Sequence, residues 1–277
     1  MGLVTYTKFA IRICKSFLKK PDESLRILRA LPLMLDGSLR ARDWPEPPKD
    51  LPTSRPNADG MQSEEDNRLK RYFDSHITGR GIVKWEHYFQ IYDSHLNKFV
   101  GRAINLLEIG VFSGGSLQMW KSYFGSKCGI FGVDIRAECK AFEDDQTRIF
   151  IGDQADPDFW QRFKIAVPQL DIVIDDGSHV PEHQIVTLEQ LLPHIRPGGV
   201  YLCEDVHGLH NRFVGYVYGL ANRLNELNCR PGELSPVFLS EFQRSIKSVH
   251  LYPFVTVIEK VETPVDEFLS TRRGTEW

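Results

Sequence analysis

The sequence lacks the features that mark several classes of protein. No apolar run reaches the about 18–20 residues that a membrane-spanning helix needs. The formal net charge is only −3, which argues against a protein that holds nucleic acid through bulk positive charge. The five cysteines are scattered and include no C-x-x-C pair, so neither a disulfide framework nor a zinc site is indicated. N-x-S/T sequons are also absent, and a reducing, cytoplasmic location is expected.

Two nucleotide-binding motifs are missing as well. The stretch LLEIGVFSGGSLQMW predicts a strand, a glycine-rich turn and a helix, but its glycines at 110, 114 and 115 have the spacing G-x-x-x-G-G. Dinucleotide-binding proteins use G-x-G-x-x-G, and a P-loop needs Lys-Ser/Thr after its last glycine. An NAD-dependent enzyme is therefore disfavoured. The glycines still allow a ligand to approach the backbone and the free N–H groups of the following helix.

The first twenty residues carry five basic side chains and no acidic one. A helical wheel places Lys8, Arg12, Lys15 and Lys19 on one stripe, opposite Tyr6, Ala10, Ile13 and Phe17. This pattern predicts a basic amphipathic helix over about residues 3–20. Two interpretations stay open. The helix lies on an anionic membrane or serves as an organelle presequence, or it packs on the domain or on a partner.

Residues 36–62 are rich in Pro, Gly, Asp and Ser and predict a linker or extended arm, so residues 1–62 are expected to precede the folded part. Two helices are predicted next, and together they make residues 63–103 a helical segment. The first, near 63–75, opens with Ser63 and Asp66, close to a capping box. The second, near 84–99, carries an aromatic cluster in KWEHYFQIYDSHLNKFV.

From residue 104 to 262, short apolar runs alternate with amphipathic segments. This rhythm predicts an α/β core of the doubly wound, Rossmann-like kind, with a mostly parallel seven-stranded sheet and helices on both faces. The late stretch SVHLYPFVTVIEK leaves little room for a crossover helix, so one antiparallel strand is expected. Residues 263–277 are expected to form a C-terminal tail.

Acidic residues end the first three predicted strands or follow them closely. Glu108 lies beside the glycine loop, where its charge would repel a pyrophosphate but suit a cationic sulfonium. Asp134 closes the second strand, where an acid accepts from ribose hydroxyls. Asp153 follows the third strand, within reach of an adenine edge. With Gly110, Gly114, Ser116 and Gln154 beside them, these residues predict a cofactor site. Ordinary turn residues in an α/β fold stay open as the alternative.

Carboxylates also crowd the ends of the fourth and fifth predicted strands. DIVIDDGSH contains Asp175, Asp176 and His179, and GVYLCED ends in Glu204 and Asp205. If these strands are neighbours, Asp176, Glu204 and Asp205 converge at one edge of the sheet. Three carboxylates repel one another unless a cation lies among them, and oxygen ligands favour Mg²⁺, with Ca²⁺ or Mn²⁺ as alternatives. His179 is then the candidate general base. A capping histidine beside solvated acids is the other interpretation.

At these motifs the sequence resembles the class I S-adenosylmethionine-dependent methyltransferases, and among them the macrolide-sugar O-methyltransferases of the macrocin and mycinamicin type. The resemblance spans about residues 84–260 and includes LEIGVFSGGSLQMWKSYF, FGVDI, GDQADPDF, DIVIDDGSH, LLPHIRPGGVYLCED and SVHLYPFVTVIEK. The string DDGSH with its downstream ED is fairly specific for this subgroup. Residues 1–62 have no counterpart, and VHGLHNRFVGYVYGL differs from the macrolide enzymes, so the acceptor does not carry over.

The resemblance implies a role for each site residue. The S-adenosylmethionine site would be lined by Glu108, Gly110, Asp134 and Asp153, and His87 of KWEHYF would cover the cofactor. Mg²⁺ would be held by Asp176, Glu204 and Asp205, and His179 would be the base. Asp175 would touch the cofactor or support the site from behind.

The expected activity is Mg²⁺-dependent O-methylation of a small-molecule hydroxyl acceptor, such as a sugar or glycoside. Methylation of a catechol-like diol at the same site is one alternative. A binding or scaffold protein that keeps the fold without turnover is another. No nucleic-acid partner is expected, and a homo-oligomer stays open.

Overall fold

The structure, a computed structural model, describes residues 3–42, 67–208, 211–229 and 235–275. The chain divides into two compact units, residues 1–61 and residues 62–277. Between residues 3 and 42 the first unit contains two helices, α1 (Leu3–Lys19) and α2 (Pro21–Arg42). Ser16 Oγ and Ser24 Oγ, 2.7 Å apart, form a hydrogen bond between them. Within the described ranges, no helix has the length and apolar character that crossing a membrane requires.

The predicted helix is present as α1, but the linker was predicted to begin at residue 36, which still belongs to α2. Residues 36–42 continue α2 instead of leaving it. Leu35 and Leu39, one turn apart, extend its apolar face, and Arg40 to Arg42 are good helix formers, which outweigh Gly37. The rest of the predicted arm, residues 43–62, lies outside the described residues.

The second unit opens with two helices, α3 (Arg68–Ser75) and α4 (Tyr88–Leu96). Asn67 caps α3 by accepting a hydrogen bond from the backbone N–H of Lys70 at 3.0 Å. The capping box expected at Ser63 and Asp66 lies outside the described residues. A single 3₁₀ turn, Asn97–Phe99, follows α4. Helix α4 begins four residues later than the sequence predicted, because Lys84 belongs to an irregular segment that reaches the site described below.

A seven-stranded sheet forms the centre of this unit, in the order β3-β2-β1-β4-β5-β8-β7. Its strands are β1 (Ile104–Ile109), β2 (Cys128–Asp134), β3 (Thr147–Ile151), β4 (Leu170–Asp175), β5 (Ile195–Cys203), β7 (Ile246–Tyr252) and β8 (Val255–Lys260). Strands β6 (Val237–Phe238) and β9 (Glu267–Phe268) form a separate antiparallel pair. Within the seven-stranded sheet, strand β8 runs antiparallel to both of its neighbours, and the other four pairs are parallel. The predicted fold class is thus confirmed.

Helices cover both faces of the sheet. They are α5 (Gly115–Phe124), α6 (Pro157–Ala166), α7 (Pro181–Leu191), α8 (Arg212–Leu224) and the short α9 (Glu241–Ser245). Alternate side chains of β1 point to opposite cores, with Leu106 packing in the layer of Tyr92 and Trp120, and Leu107 in the layer of Trp160 and Phe213. Each such buried side chain stabilises the fold by roughly 1.5–3 kcal/mol.

The chain reverses its strand order between β1 and β4. Strand β1 pairs with β2 on one side and with β4 on the other, and Ile109 lies opposite Val133 and Asp175. Asp175 in turn lies opposite Cys203 of β5. The loops after these strands therefore open at one edge of the sheet, at the switch point where α/β proteins bind ligands.

Candidate active site

The glycine loop after β1 is packed too tightly for other residues. Gly110 has a φ of +90°, and a Cβ there would lie 2.0 Å from the carbonyl oxygen of Asp176. Gly114 has a φ of +73° and precedes α5, and its Cβ would lie 2.8 Å from the ring of Phe142. Glycine is required at both positions by the left-handed backbone and by the close neighbour.

Glu108 lies beneath this loop and is completely buried. Its carboxylate accepts hydrogen bonds from Ser116 Oγ at 2.8 Å and from Trp120 Nε1 at 2.9 Å. Burial raises the pKa of Glu108, although the nearby Lys84 ammonium opposes that shift. Ser116 lines the cleft described next, whereas Glu108 holds the loop from behind.

A cleft of about 690 Å³ opens above the glycine loop. Asp134, one of its lining residues, accepts hydrogen bonds from the backbone N–H groups of Phe112 and Arg136, both at 2.9 Å. Asp153 also lines the cleft and accepts from the N–H of Ala155 at 2.8 Å. The structure thus places both predicted strand-end acids along one cavity of the size that small-molecule ligands occupy.

Asp175 and Gln154 brace the turn that follows β4. The buried Asp175 carboxylate accepts from Tyr201 Oη at 2.9 Å and from Gln154 Nε2 at 3.1 Å. The amide oxygen of Gln154 accepts from the backbone N–H of Ser178 at 2.6 Å. Burial raises the pKa of Asp175 to about 6. Gln154 lines the cleft, while Asp175 lies behind it and supports the turn.

Lys84 lies between two of the predicted metal ligands, a contact that the sequence did not reveal. Its ammonium is 2.6 Å from Asp176 Oδ2 and 2.8 Å from Glu204 Oε2, and its side chain is only 2% exposed. Burial lowers the pKa of Lys84, but the carboxylates of Glu204 and Asp176 outweigh that effect and raise it above the ordinary value. Lys84 therefore carries a positive charge inside an acidic site.

Three aromatic side chains complete the acidic cluster. Tyr92 Oη donates to Glu204 Oε1 at 2.7 Å, so that both oxygens of this carboxylate are engaged. Tyr88 Oη and Trp85 Nε1 donate to Asp205 Oδ1 at 2.7 and 3.0 Å. Tyr88 and Tyr92 are one helical turn apart. The aromatic cluster of KWEHYFQIYDSHLNKFV was the available signal for these contacts, but it did not identify their partners.

His179 faces the remaining carboxylate oxygens. Its Nε2 is 3.7 Å from Asp205 Oδ2 and 4.0 Å from Asp176 Oδ1, and its side chain is 40% exposed. His179 and Asp205 have φ values of +56° and +52°, a left-handed conformation that few non-glycine residues adopt and that occurs at turns and at functional sites. Asp176, His179 and Asp205 each place one possible ligand atom within 4.8 Å of those of the other two. Glu204 does not join this group, because Lys84 and Tyr92 hold it.

His87, expected to cover the cofactor, is not brought into the cleft. It precedes α4, and its Nε2 lies 3.0 Å from the carbonyl oxygen of Pro253. It lines a second, shallower cleft together with Tyr252 and Pro253. The segment that does line the first cleft, residues 81–84, ends three residues before His87.

Comparison with known proteins agrees with the fold. Residues 107–206 match the family model described as a methyltransferase domain. The chain has the fold of the class I S-adenosylmethionine-dependent methyltransferases. In sequence it is related to sugar O-methyltransferases, as two relatives and one solved structure indicate.

The 8-demethyl-8-alpha-L-rhamnosyl tetracenomycin-C 2'-O-methyltransferase of Streptomyces olivaceus is 31% identical over 65% of this chain and 52% of that protein. The demethylmacrocin O-methyltransferase of Streptomyces fradiae is 39% identical over 47% of this chain and 35% of that protein. The structure of the MycE methyltransferase of the mycinamycin pathway, in complex with Mg and SAH, is 29% identical with a TM-score of 0.57. That match covers 70% of this chain and 54% of MycE. The chain thus spans about half of these proteins or less.

Proposed function

We propose that this chain transfers the methyl group of S-adenosylmethionine to a hydroxyl of a sugar or glycoside, with the help of Mg²⁺. The observation that carries the proposal is the position of His179, whose Nε2 lies 3.7 Å from Asp205 and 4.0 Å from Asp176 at the cleft. A base beside free carboxylate oxygens suits an acceptor that must lose a proton. The name of the Streptomyces olivaceus relative describes 2'-O-methylation of a rhamnosyl compound, and one MycE structure holds Mg, SAH and mycinamycin VI.

The cleft supports a nucleoside-type cofactor. Asp134 is proposed to accept from the ribose hydroxyls and Asp153 to meet the adenine, because both line the cavity. Ser116 and the glycine loop are proposed to approach the amino-acid part. Glu108 is proposed to act through Ser116 and through its charge, since its oxygens are bound to Ser116 and Trp120.

The carboxylates also fit a hard divalent ion, but the three predicted ligands are not equally available to it. Asp176 Oδ1 and Asp205 Oδ2 face His179, and carboxylate oxygens are the ligands that Mg²⁺ prefers. We propose that these two carboxylates are the main metal ligands. Glu204 is proposed to support the site indirectly, through its contacts with Lys84 and Tyr92. When bound, Mg²⁺ supplies Lewis acidity, which lowers the pKa of a coordinated hydroxyl.

His179 is proposed to be the general base. As the bond between the sulfonium sulfur and the methyl carbon breaks, the acceptor oxygen forms its bond to that carbon, and the hydroxyl proton passes to His179 Nε2. The carboxylates of Asp176 and Asp205, with oxygens 4.0 and 3.7 Å from that nitrogen, would then stabilise the positive charge that the imidazole gains. Alignment of the acceptor oxygen with the methyl group supplies much of the remaining acceleration.

A methyl-transfer assay tests the proposal. Metal-stripped full-length protein is incubated with S-adenosylmethionine and a panel of glycosides and catechols, with and without MgCl₂, and the products are read by mass spectrometry. We expect glycosides to gain one methyl group only with Mg²⁺. His179→Ala should lower the rate by about 10²–10⁴-fold, while His250→Asn, on β7, should leave it unchanged.

Two other outcomes decide between the alternatives. Methylation of catechols alone would favour a diol-specific enzyme, and cofactor binding without transfer to any acceptor would favour a scaffold protein. Three expectations stay predictions from the sequence: contact with a membrane through residues 3–20, a cytoplasmic location, and a homo-oligomer.

A further inference from the structure

Three rings surround the outer side of Asp205 and have no part in the proton transfer proposed above. Trp85, His207 and Phe254 form this group, called here the aromatic rim. Their ring centroids are 5.5 Å apart for Trp85 and Phe254, 4.6 Å for His207 and Phe254, and 6.5 Å for Trp85 and His207. They come from three separate places in the chain, before α4, after β5 and in the β7–β8 turn.

The rim is fixed in place by polar contacts. Trp85 Nε1 donates to Asp205 Oδ1 at 3.0 Å, and His207 Nε2 is 3.6 Å from the same oxygen. Phe254 has a φ of +63°, and its carbonyl accepts from the N–H of Val206 at 2.9 Å. A left-handed phenylalanine persists only where its surroundings hold it, so the turn presents this ring at a conformational cost.

The rim is nevertheless open to solvent. Trp85 is 50% exposed and Phe254 is 38% exposed, and the His207 side chain is 48% exposed. A rigid, half-exposed aromatic group beside a cleft is typical of a binding surface, because burying these rings on a ligand removes apolar area from water.

The chemistry around the rim favours a sugar over a flat aromatic acceptor. A pyranose has an apolar face of C–H groups and an edge of hydroxyls. The rim offers aromatic surface next to the carboxylate of Asp205, which faces His179 on its other oxygen. Trp85 is tilted by 53° from Phe254 and by 77° from His207, so the rim offers a platform and not the parallel-walled slot that suits a catechol.

We propose that the aromatic rim, and Trp85 above all, stacks the C–H face of the acceptor's pyranose ring and turns one ring hydroxyl toward His179. The proposal rests on the function proposed above and names its acceptor subsite. Because Trp85 and His179 contact the two oxygens of Asp205, the stacked ring and the base share one anchor.

Saturation-transfer NMR on the full-length protein with SAH tests this subsite without turnover. The probes are methyl α-L-rhamnopyranoside, the open-chain alditol rhamnitol, and catechol. We expect saturation transfer to the C–H protons of one rhamnoside face, and little transfer to rhamnitol, which has hydroxyls but no ring. Trp85→Leu should weaken the rhamnoside signal by about fivefold to tenfold, whereas Trp85→Phe should retain most of it.

Phe254→Leu, from a different element, should also weaken the rhamnoside signal and keeps the test valid if the Trp85→Leu protein does not fold. SAH affinity, measured by calorimetry, should be the same in all variants. Unchanged rhamnoside transfer in Trp85→Leu and Phe254→Leu, or stronger transfer to catechol than to the rhamnoside, would overturn the subsite. Loss of SAH binding in the parent protein would instead count against the proposed function.

Discussion

Lys84 and Asp176 are 92 residues apart in the chain, yet the Lys84 ammonium lies 2.6 Å from Asp176 Oδ2. The same ammonium contacts Glu204, 120 residues downstream, at 2.8 Å. One buried cation thus joins the segment before α4 to the ends of β4 and β5. The contact couples a segment that lines the cleft to carboxylates at the ends of two strands.

Replacing Lys84 should destabilise the fold. Lys84→Met leaves Asp176 and Glu204 without a counter-charge in a buried site, which costs about 3–5 kcal/mol of unfolding free energy. Lys84→Arg keeps the charge and should cost less. Lys70→Met is the matched control, because Lys70 pairs with Asp74 and Glu86 at the surface and should change the free energy little. Denaturant unfolding measures all three, and equal effects of Lys84→Met and Lys70→Met would contradict a buried pair.

Asp175 should make the protein more stable in mild acid. Its pKa is raised by burial to about 6, so the native state takes up a proton there before the unfolded state does. The resulting stability is fully present below the ordinary pKa of an aspartate and is lost as the pH rises through 6. Between about pH 5 and pH 7.5, the parent protein should lose roughly 1.4 kcal/mol more unfolding free energy than Asp175→Asn. Parallel pH profiles for the two proteins would contradict this assignment.

Substitutions at two glycines allow the cost of steric overlap to be measured apart from the cost of backbone strain. Gly110 and Gly101 both have positive φ, but a Cβ at Gly101 meets nothing within 4 Å, whereas one at Gly110 meets Asp176 at 2.0 Å. Gly101→Ala should cost only the strain of a left-handed alanine, about 1–2 kcal/mol. Gly110→Ala should cost more and abolish SAH binding in calorimetry. Normal SAH affinity in Gly110→Ala would show that the loop is not tightly packed against Asp176.

Metal affinity should distinguish the three predicted ligands. Asp176→Asn and Asp205→Asn remove oxygens that face His179, and each should weaken Mn²⁺ binding by about tenfold or more. Glu204→Gln should weaken it less, because Lys84 and Tyr92 already engage both oxygens of Glu204. Titration of metal-stripped protein with Mn²⁺, followed by electron paramagnetic resonance, measures the free ion directly. A loss in Glu204→Gln as large as in Asp176→Asn would make Glu204 an equal ligand.

The first unit should bind anionic lipid. Residues 3–42 carry nine basic and three acidic side chains, and Leu33, Leu35 and Leu39 of α2 are exposed. Basic residues near an anionic bilayer contribute about 1 kcal/mol each. Co-sedimentation should show binding to phosphatidylglycerol vesicles but not to phosphatidylcholine vesicles, weakened by salt and by Leu35→Glu with Leu39→Glu. Equal recovery with both vesicle types would leave packing on a protein as the explanation of α1.

Much of the core was predictable because strand and helix periods are local. Alternating apolar runs identified the sheet, and acids at or just after the ends of β2, β3, β4 and β5 indicated the edge of the sheet at which the cleft opens. The extent of α2 was misjudged because Gly37 and Asp36 resemble a turn, although the leucines around them continue a helical face. The role of Lys84 was not predictable, because a contact across 120 residues leaves no trace in local pattern. Glu108 is completely buried and its oxygens are bonded to Ser116 and Trp120, a placement that the local sequence did not indicate, and its contact with a cofactor stays a prediction.

The pairing of Lys84 also sets an order of events during synthesis. Lys84 leaves the ribosome long before Asp176 and Glu204, so the two carboxylates that it contacts are missing until β4 and β5 have been made and paired, although Gly81 nearby already has a partner in Ser113. Closing so long a loop is slow and entropically costly. The segment before α4 should therefore dock late, and in a nascent chain it should be among the last parts of this unit to resist a protease.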